Sequence, residues 1–368
     1  MFGARIPGLI CVLVLCGILV AGLTPFRRPL NAVTWLGNED GLRFGRYGTV
    51  WSSGQFHAAG APNETSCSLE IWAQPAFASA SSTILTFYAP GNPMQLSVHQ
   101  YHSLVILKRE NHDDLRRTQI IGVADVFHPA KPVFLTVTAG PQKTSIYVDG
   151  TLARSFPLFR MGNDCAGQLL IGTSPITDDS WPGDLRGLAI YDRDLTAEEA
   201  LRHFQTWTTQ GRPEISENVS PARVYLFDER SGNVAHDAAR SGIDLYIPKR
   251  FSLLHQKFLE PFWQEFRPRR SYFMDILVNV AGFIPLGFVF FAYWSSVRPI
   301  KHPAIATVAL GLAVSLTIEV LQSYLPTRDS GTTDLITNTF GTFIGVRLWS
   351  LKIFRGLLAK IGSVTAPR

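Results

Sequence analysis

Asp275-Ile276-Leu277-Val278-Asn279-Val280-Ala281-Gly282-Phe283-Ile284-Pro285-Leu286-Gly287 is apolar almost throughout, with one acid and one amide. It lies within Ser271–Val297, a run whose only charged residue is Asp275. A helix rises about 1.5 Å per residue, so a run of this length crosses a ~30 Å hydrocarbon core. A carboxyl group in such a helix costs roughly 2.5–3.5 kcal/mol on insertion scales, so its presence needs a reason. The spacing offers one: Asp275 and Asn279 are four apart and share a helix face.

The same texture recurs on both sides. Pro303–Leu325 holds only Glu319, with Gln322 three residues on, and Ser330–Leu351 holds only Asp334 and Arg347, with Asn338 four residues after the acid. Gly341 and Gly345 continue that last face as a Gly-x-x-x-Gly surface, which lets a neighbouring helix approach closely. At the other end of the chain Ile6–Phe26 carries no charge and is bracketed by Arg5 and by Arg27 and Arg28. It reads as a retained signal anchor more readily than as a cleaved signal peptide. Four spans are expected, at 6–26 and about 271–297, 303–325 and 330–351. Their acids fall towards one set of ends, with Arg328 in the Pro326–Asp329 loop, which predicts a single polar cluster. With the amino terminus inside, Arg298, Lys301 and the basic tail at 352–368 are cytoplasmic. Arg27, Arg28, Arg267, Arg269, Arg270 and Arg328 stay on the other side, so charge alone favours this orientation only weakly.

Composition narrows the class. The 368 residues are 46% hydrophobic and 17% charged, which argues against disorder. Four cysteines at 11, 16, 67 and 165 exclude a disulfide scaffold and match no zinc or Cys-x-x-Cys spacing. The net charge of +5 sits mainly beside apolar runs, where it sets topology, and gives no nucleic-acid signal.

Residues 31–210 have the rhythm of an antiparallel sandwich: short β-branched and aromatic runs cut by Gly, Pro, Asn and Ser. Ser68–Ala73 alternates, placing Leu69, Ile71 and Ala73 on one face. Thr83–Phe87, Ser103–Leu107, Val133–Val137 and Gln168–Ile171 are further strands. Ser145–Val148, Asp149-Gly150 and Thr151–Arg154 form a hairpin whose dipeptide suits a type I′ turn. Thr196 with Glu199 three residues later opens a helix through a capping box. Residues 211–270 read as a linker with an extra hairpin, which either closes the sandwich or stands apart. A long β-domain behind an export-type helix is placed outside the cytoplasm, where Cys67 and Cys165 are candidates to pair.

Two resemblances follow from particular residues. Leu69-Glu70-Ile71-Trp72-Ala73-Gln74-Pro75, Ile146-Tyr147-Val148-Asp149-Gly150 and Gly183–Tyr191 leading into Asp194–Glu199 resemble a LamG-like, concanavalin A-type jelly roll. Asp275–Gly287, then Ser315–Gln322, then Arg328 and Asp334–Gly341 resemble the VanZ-like membrane family. Thr24-Pro25-Phe26-Arg27 is similar to the end of that family's first helix, which makes the sandwich an insertion after it. The second resemblance implies a four-helix membrane fold and an envelope context tied to teicoplanin resistance. It implies no reaction.

The expected protein is therefore a multi-pass protein of the cytoplasmic membrane, an all-β sandwich plus an all-α membrane domain at 271–351 with its first helix at 6–26. Asp275, Asn279, Glu319, Gln322, Arg328, Asp334 and Asn338 are its candidate site for the headgroup of a lipid-linked envelope ligand, with a self-satisfied cluster orienting the helices as the equal alternative. Trp51, Trp72 and Trp181 are candidates for stacking on a glycan, although most tryptophans are core. Glycan or an envelope protein, and membrane lipids, are the expected partners. Non-catalytic recognition is favoured over an intramembrane enzyme or transporter, because no nucleophile or ligand set accompanies the acids. No cofactor is expected; calcium held by Asp178, Asp179 and Asp184 is the weaker option. Glu110–Asp114 reads as a solvated loop.

Overall fold

A computed structural model describes residues 5–57, 66–89, 92–109, 118–213, 222–256, 258–266, 268–328 and 330–351. The Glu110–Asp114 loop and the 352–368 tail lie outside these. The chain forms two compact units, one of Arg28–His255 and one joining the chain up to Arg27 with the chain from Gln256.

The first of these units is a two-sheet sandwich. Its strands are β1 (Val33–Trp35), β2 (Leu42–Phe44), β3 (Val50–Phe56), β4 (Cys67–Pro75), β5 (Ser81–Ala89), β6 (Asn92–Tyr101), β7 (Leu104–Arg109) and β8 (Gln119–Val123). They continue through β9 (Val133–Ala139), β10 (Thr144–Val148), β11 (Thr151–Phe156), β12 (Gly167–Ile171), β13 (Gly183–Tyr191), β14 (Arg223–Tyr225), β15 (Val234–Ala235) and β16 (Leu245–Tyr246). One sheet has the order β1-β2-β13-β4-β9-β10-β11, with β14 beside the second half of β13; the other runs β15-β16-β3-β12-β5-β6-β7-β8. The segment the sequence left between linker and closure thus supplies β14 to one sheet and β15 and β16 to the other.

Alternation sets the core: Leu69, Ile71 and Ala73 point inward and meet Phe87, Val98 and Leu169 of the facing sheet, all fully buried. Asp149 and Gly150 both have positive φ, as a type I′ turn between β10 and β11 requires. Cys67, opening β4, is bonded to Cys165, just ahead of β12, so one disulfide ties the two sheets across 98 residues. Closing a loop of that length restricts the unfolded chain by about 4.7 kcal/mol in the chain-entropy picture. Cys67→Ser, or reduction of the wild type, should lower the unfolding free energy of the sandwich by about 2–5 kcal/mol and its thermal midpoint with it; an unchanged midpoint would show that the bridge carries no stability.

Helix α2 (Ala197–Gln210) lies on the outer face of the β13–β4–β9 region. Thr196 and Glu199 form the expected reciprocal cap, and Ala200, His203 and Trp207 face the sheet.

The other unit is helical: α1 (Arg5–Leu23), a short α3 (Phe262–Glu265), α4 (Arg270–Ala292), α5 (Pro303–Gln322) and α6 (Thr332–Ser350), with a π-helical turn Tyr293–Val297 after α4. Ile6–Leu23, Arg270–Val297 and Pro303–Gln322 are long and apolar enough to cross a membrane; among the described residues these are the three such segments. The fourth expected span is a helix too, but its Thr, Asn, Asp and Arg residues make α6 less apolar than the other three, so a count of four spans is not confirmed. Instead α6 packs along α4. The Gly341 and Gly345 Cα atoms lie so close that an added Cβ would sit 2.2 Å from the Val280 and Ile284 carbonyls respectively. That is the close approach the Gly-x-x-x-Gly spacing predicts.

Candidate functional site

In the helical unit α1 and α5 end, and α4 and α6 begin, at the same end. Asn279 of α4 donates through Nδ2 to Asp334 Oδ1 of α6 at 2.7 Å. Gln322 at the end of α5 donates to the Gly22 carbonyl of α1 at 2.8 Å, and Arg328 donates to the Thr24 carbonyl. Deeper in, Asn338 Nδ2 donates to Ser315 Oγ at 3.0 Å, while its buried Oδ1 has no partner. Asp275 lies exposed one turn before Asn279.

Glu319 is 1% exposed, and its Oε2 accepts the Gly331 N–H at 2.9 Å. Gly331 is the N-cap of α6. Glu265, which the sequence did not single out, accepts the Thr333 N–H at 2.9 Å and the Thr333 hydroxyl as well. Two carboxylates from outside α6 therefore satisfy orphan donors of its first turn, where the helix dipole also favours negative charge. Asp334, in that turn, adds a third acid. This gives Glu319 a structural reason to be there. Glu319→Gln keeps an acceptor and should leave thermal unfolding of the solubilised protein nearly unchanged, whereas Glu319→Ala strands a buried N–H at about 1–3 kcal/mol. If Gln proves as damaging as Ala, the charge itself is needed.

The three tryptophans do not gather in one place. Trp181 is fully buried, with its indole donating to Gln100 Oε1 at 2.8 Å, so no ring face is open to a sugar and that expectation is corrected: it is core. Trp51 lies half-buried on β3, with its ring centroid 6.3 Å from that of Tyr246. Trp72 is half-buried on the outward face of β4, edge-on to Trp207. The calcium candidates separate too. Asp179 accepts from the Thr177 hydroxyl and the Ser174 N–H, while Asp184 grips Arg43. Among the described residues no cluster of His, Cys, Asp and Glu is placed to hold a metal ion.

Beside Trp72 runs a groove the sequence did not reveal. Thr34 pairs with Arg43, Arg43 with Asp184 and Asp184 with Gln74, so strands β1, β2, β13 and β4 line these side chains up in one outward-facing row. Arg43 makes a two-pronged pair with Asp184, both bonds 2.8 Å. Arg186 donates to Gln74 Oε1 at 2.9 Å, pairs with Glu39, and lies 5.8 Å from the Trp72 ring centroid. Arg43, Asp184, Gln74, Arg186 and Glu39, with Trp35 and Asn38, line an open cleft of about 310 Å³. Two arginines face two carboxylates, so the lining is charge-balanced, with donors and acceptors alternating along it.

Under α2 lies a buried polar knot, also unforeseen. Glu70 Oε1 bonds His203 Nδ1 at 2.8 Å, and the Tyr191 hydroxyl donates to Glu70 Oε2 at 2.8 Å. Burial, then the Glu70 carboxylate, pushes the Tyr191 phenol far above its ordinary range, so it stays a donor.

Residues 223–355 match the VanZ/LLP1 family, and residues 51–200 match the Laminin_G_3 family of the concanavalin A-like lectin/glucanases superfamily. The chain carries a VanZ/LLP1 region and a concanavalin A-like domain. It is a membrane protein with several apolar helices. No curated protein matches it in sequence. Similar solved structures include a heptameric SAP-like pentraxin from Limulus polyphemus, at 13% identity and TM-score 0.38, covering 60% of this chain and 96% of that one. Another is the binding domain of Botulinum neurotoxin DC in complex with SialylT, at 14% identity and TM-score 0.36, covering 48% of this chain and 45% of that one.

Proposed function

We propose that this VanZ/LLP1-region protein recognises a neutral glycan outside the cytoplasm through its sandwich, while its helical unit sits in the cytoplasmic membrane. The observation that carries the reading is the Arg43–Asp184–Gln74 row with Arg186 over Trp72. Guanidinium N–H groups can donate to sugar hydroxyl oxygens, and carboxylate and amide oxygens can accept from the same hydroxyls. The existing pairs hold these groups in place before a ligand arrives, which lowers the ordering cost of binding. Balanced charge gives an acidic sugar no net attraction. The cleft is at the small end of the range for ligand sites and fits a short saccharide.

The Cys67–Cys165 bridge supports the exported side for the sandwich, since disulfides persist in oxidising compartments. In the helical unit, the exposed Asp275 and Arg328 flank the Asn279–Asp334 pair at one end, and this is where a lipid-linked headgroup would be held. On this reading α6 also spans the bilayer, its polar face turned to α4 and α5.

The test is an oligosaccharide array probed with the full chain in nanodiscs. Neutral glycans should bind, with little dependence on salt, and sialylated or sulfated ones should not. Binding confined to acidic glycans, or no binding at all, would contradict the proposal. A reporter in the Val297–His302 loop should be cytoplasmic; an external signal would reverse the orientation.

A further inference from the structure

Phe258, Phe262, Trp263 and Phe266 expose 57%, 51%, 67% and 57% of their surfaces within nine residues of chain. Isolated exposed apolar side chains are ordinary, but four large aromatics in so short a segment are not. Something covers them, and their position says what. The segment is fixed to the beginning of α6: the Leu259 N–H donates to Ser330 Oγ at 3.3 Å, the Glu260 N–H to the Ser330 carbonyl at 3.0 Å, and the Thr332 N–H to the Glu260 carbonyl at 2.9 Å. Glu265 completes the attachment at Thr333. Phe266 packs edge-on against Tyr272 in the first turn of α4, with centroids 5.7 Å apart.

These aromatics are therefore held level with the ends of α4 and α6, where a crossing helix meets the headgroup layer. Phe273, Met274, Leu277 and Val278, just beyond on α4, are exposed and apolar, as a lipid-facing surface would be. Trp and other amphipathic aromatics favour that interface. Charge agrees. Glu265 is turned inward onto α6, while Arg269 and Arg270 are exposed where the strap joins α4. Basic residues beside a membrane helix are drawn to anionic lipids.

We propose that residues 258–266 form an interfacial strap whose aromatics lie among the headgroups of the membrane crossed by α4, with Arg269 and Arg270 against anionic phosphates. Through Glu265 and Glu260 the strap also caps α6, so contact with the lipid surface steadies the polar end of the helical unit. The inference rests on the membrane reading of α4 and is independent of glycan recognition.

The test uses the full chain carrying Cys11→Ala and Cys16→Ala, reconstituted in vesicles of phosphatidylcholine with phosphatidylglycerol. Bimane is attached at Trp263→Cys, at Val278→Cys as the membrane reference, and at Leu158→Cys, 92% exposed on the sandwich, as the water reference. Position 263 should be quenched by headgroup-proximal nitroxide lipid and shielded from aqueous iodide, with 158 the reverse. Iodide quenching at 263 equal to that at 158, with 278 protected, overturns the strap; exposure of 278 as well overturns the membrane reading beneath it. Matching unfolding midpoints of labelled and parent proteins establish that the fold is intact. Arg269→Gln and Arg270→Gln should each reduce phosphatidylglycerol selectivity among retained lipids by about fivefold. Unchanged selectivity in both overturns the anionic contact.

Discussion

Replacing Gly341 with leucine will separate α4 from α6 and leave little folded protein after extraction. The added Cβ alone would fall 2.2 Å from the Val280 carbonyl, a backbone atom that cannot swing aside. Gly287 on α4 is equally confined, its Cβ position 2.0 Å from the Thr342 carbonyl, so the contact is tight from both helices. Overpacking of ordinary cores costs about 1–3 kcal/mol, and more where backbone must move. Gly282 supplies the control, because nothing lies within 4 Å of its Cβ position. Gly282→Leu should therefore extract as a monodisperse protein with a near wild-type thermal midpoint. Equal behaviour of the two variants would mean that α4 and α6 do not meet as described.

Glu70→Ala should be the most damaging single change in the sandwich. It leaves the His203 imidazole, 1% exposed, and the Tyr191 hydroxyl without their shared acceptor beneath α2. Each buried donor left without its acceptor costs about 1–3 kcal/mol, so the two losses together amount to several kcal/mol. The loss comes from stranding both donors, so a Glu70→Leu/His203→Phe/Tyr191→Phe triple variant, which removes the acceptor and both donors together, should recover much of it. Denaturation of wild type and both variants reads this directly. A single variant within about 1 kcal/mol of wild type, the worth of one ordinary hydrogen bond, would show the knot to be slack.

Local signals were legible in the sequence because they depend on neighbours in the chain. Thr196 and Glu199 cap α2, and Asp149-Gly150 turns the β10–β11 hairpin, as their spacing requires. The polar cluster was legible in part: the four-residue spacings place Asn279 and Asp334 on faces that meet, and Gly341 and Gly345 identify the helix that comes close. Long-range order was not legible. The Arg43–Asp184–Gln74 row exists because β13 lies between β2 and β4, a pairing that joins residues more than a hundred positions apart. Glu70 alternates like a solvent-facing residue and is buried only because α2 covers it. Glu265 gave no signal at all, since its partner is a distant helix terminus. Trp181 shows the opposite error: a large aromatic among turn residues gives no hint of its exposure, and this one is core.

The groove is put to the proof by calorimetric titration of a neutral oligosaccharide into the full chain in nanodiscs, comparing wild type with Arg43→Ala, Gln74→Ala and Trp51→Ala. Arg43→Ala and Gln74→Ala should each weaken binding by about tenfold or more, as loss of one or two hydrogen bonds does. Trp51→Ala, on the other sheet, should bind like wild type. Undiminished binding by both groove variants would contradict the assigned site while leaving glycan recognition standing, and failure of wild type to bind any neutral glycan would contradict both.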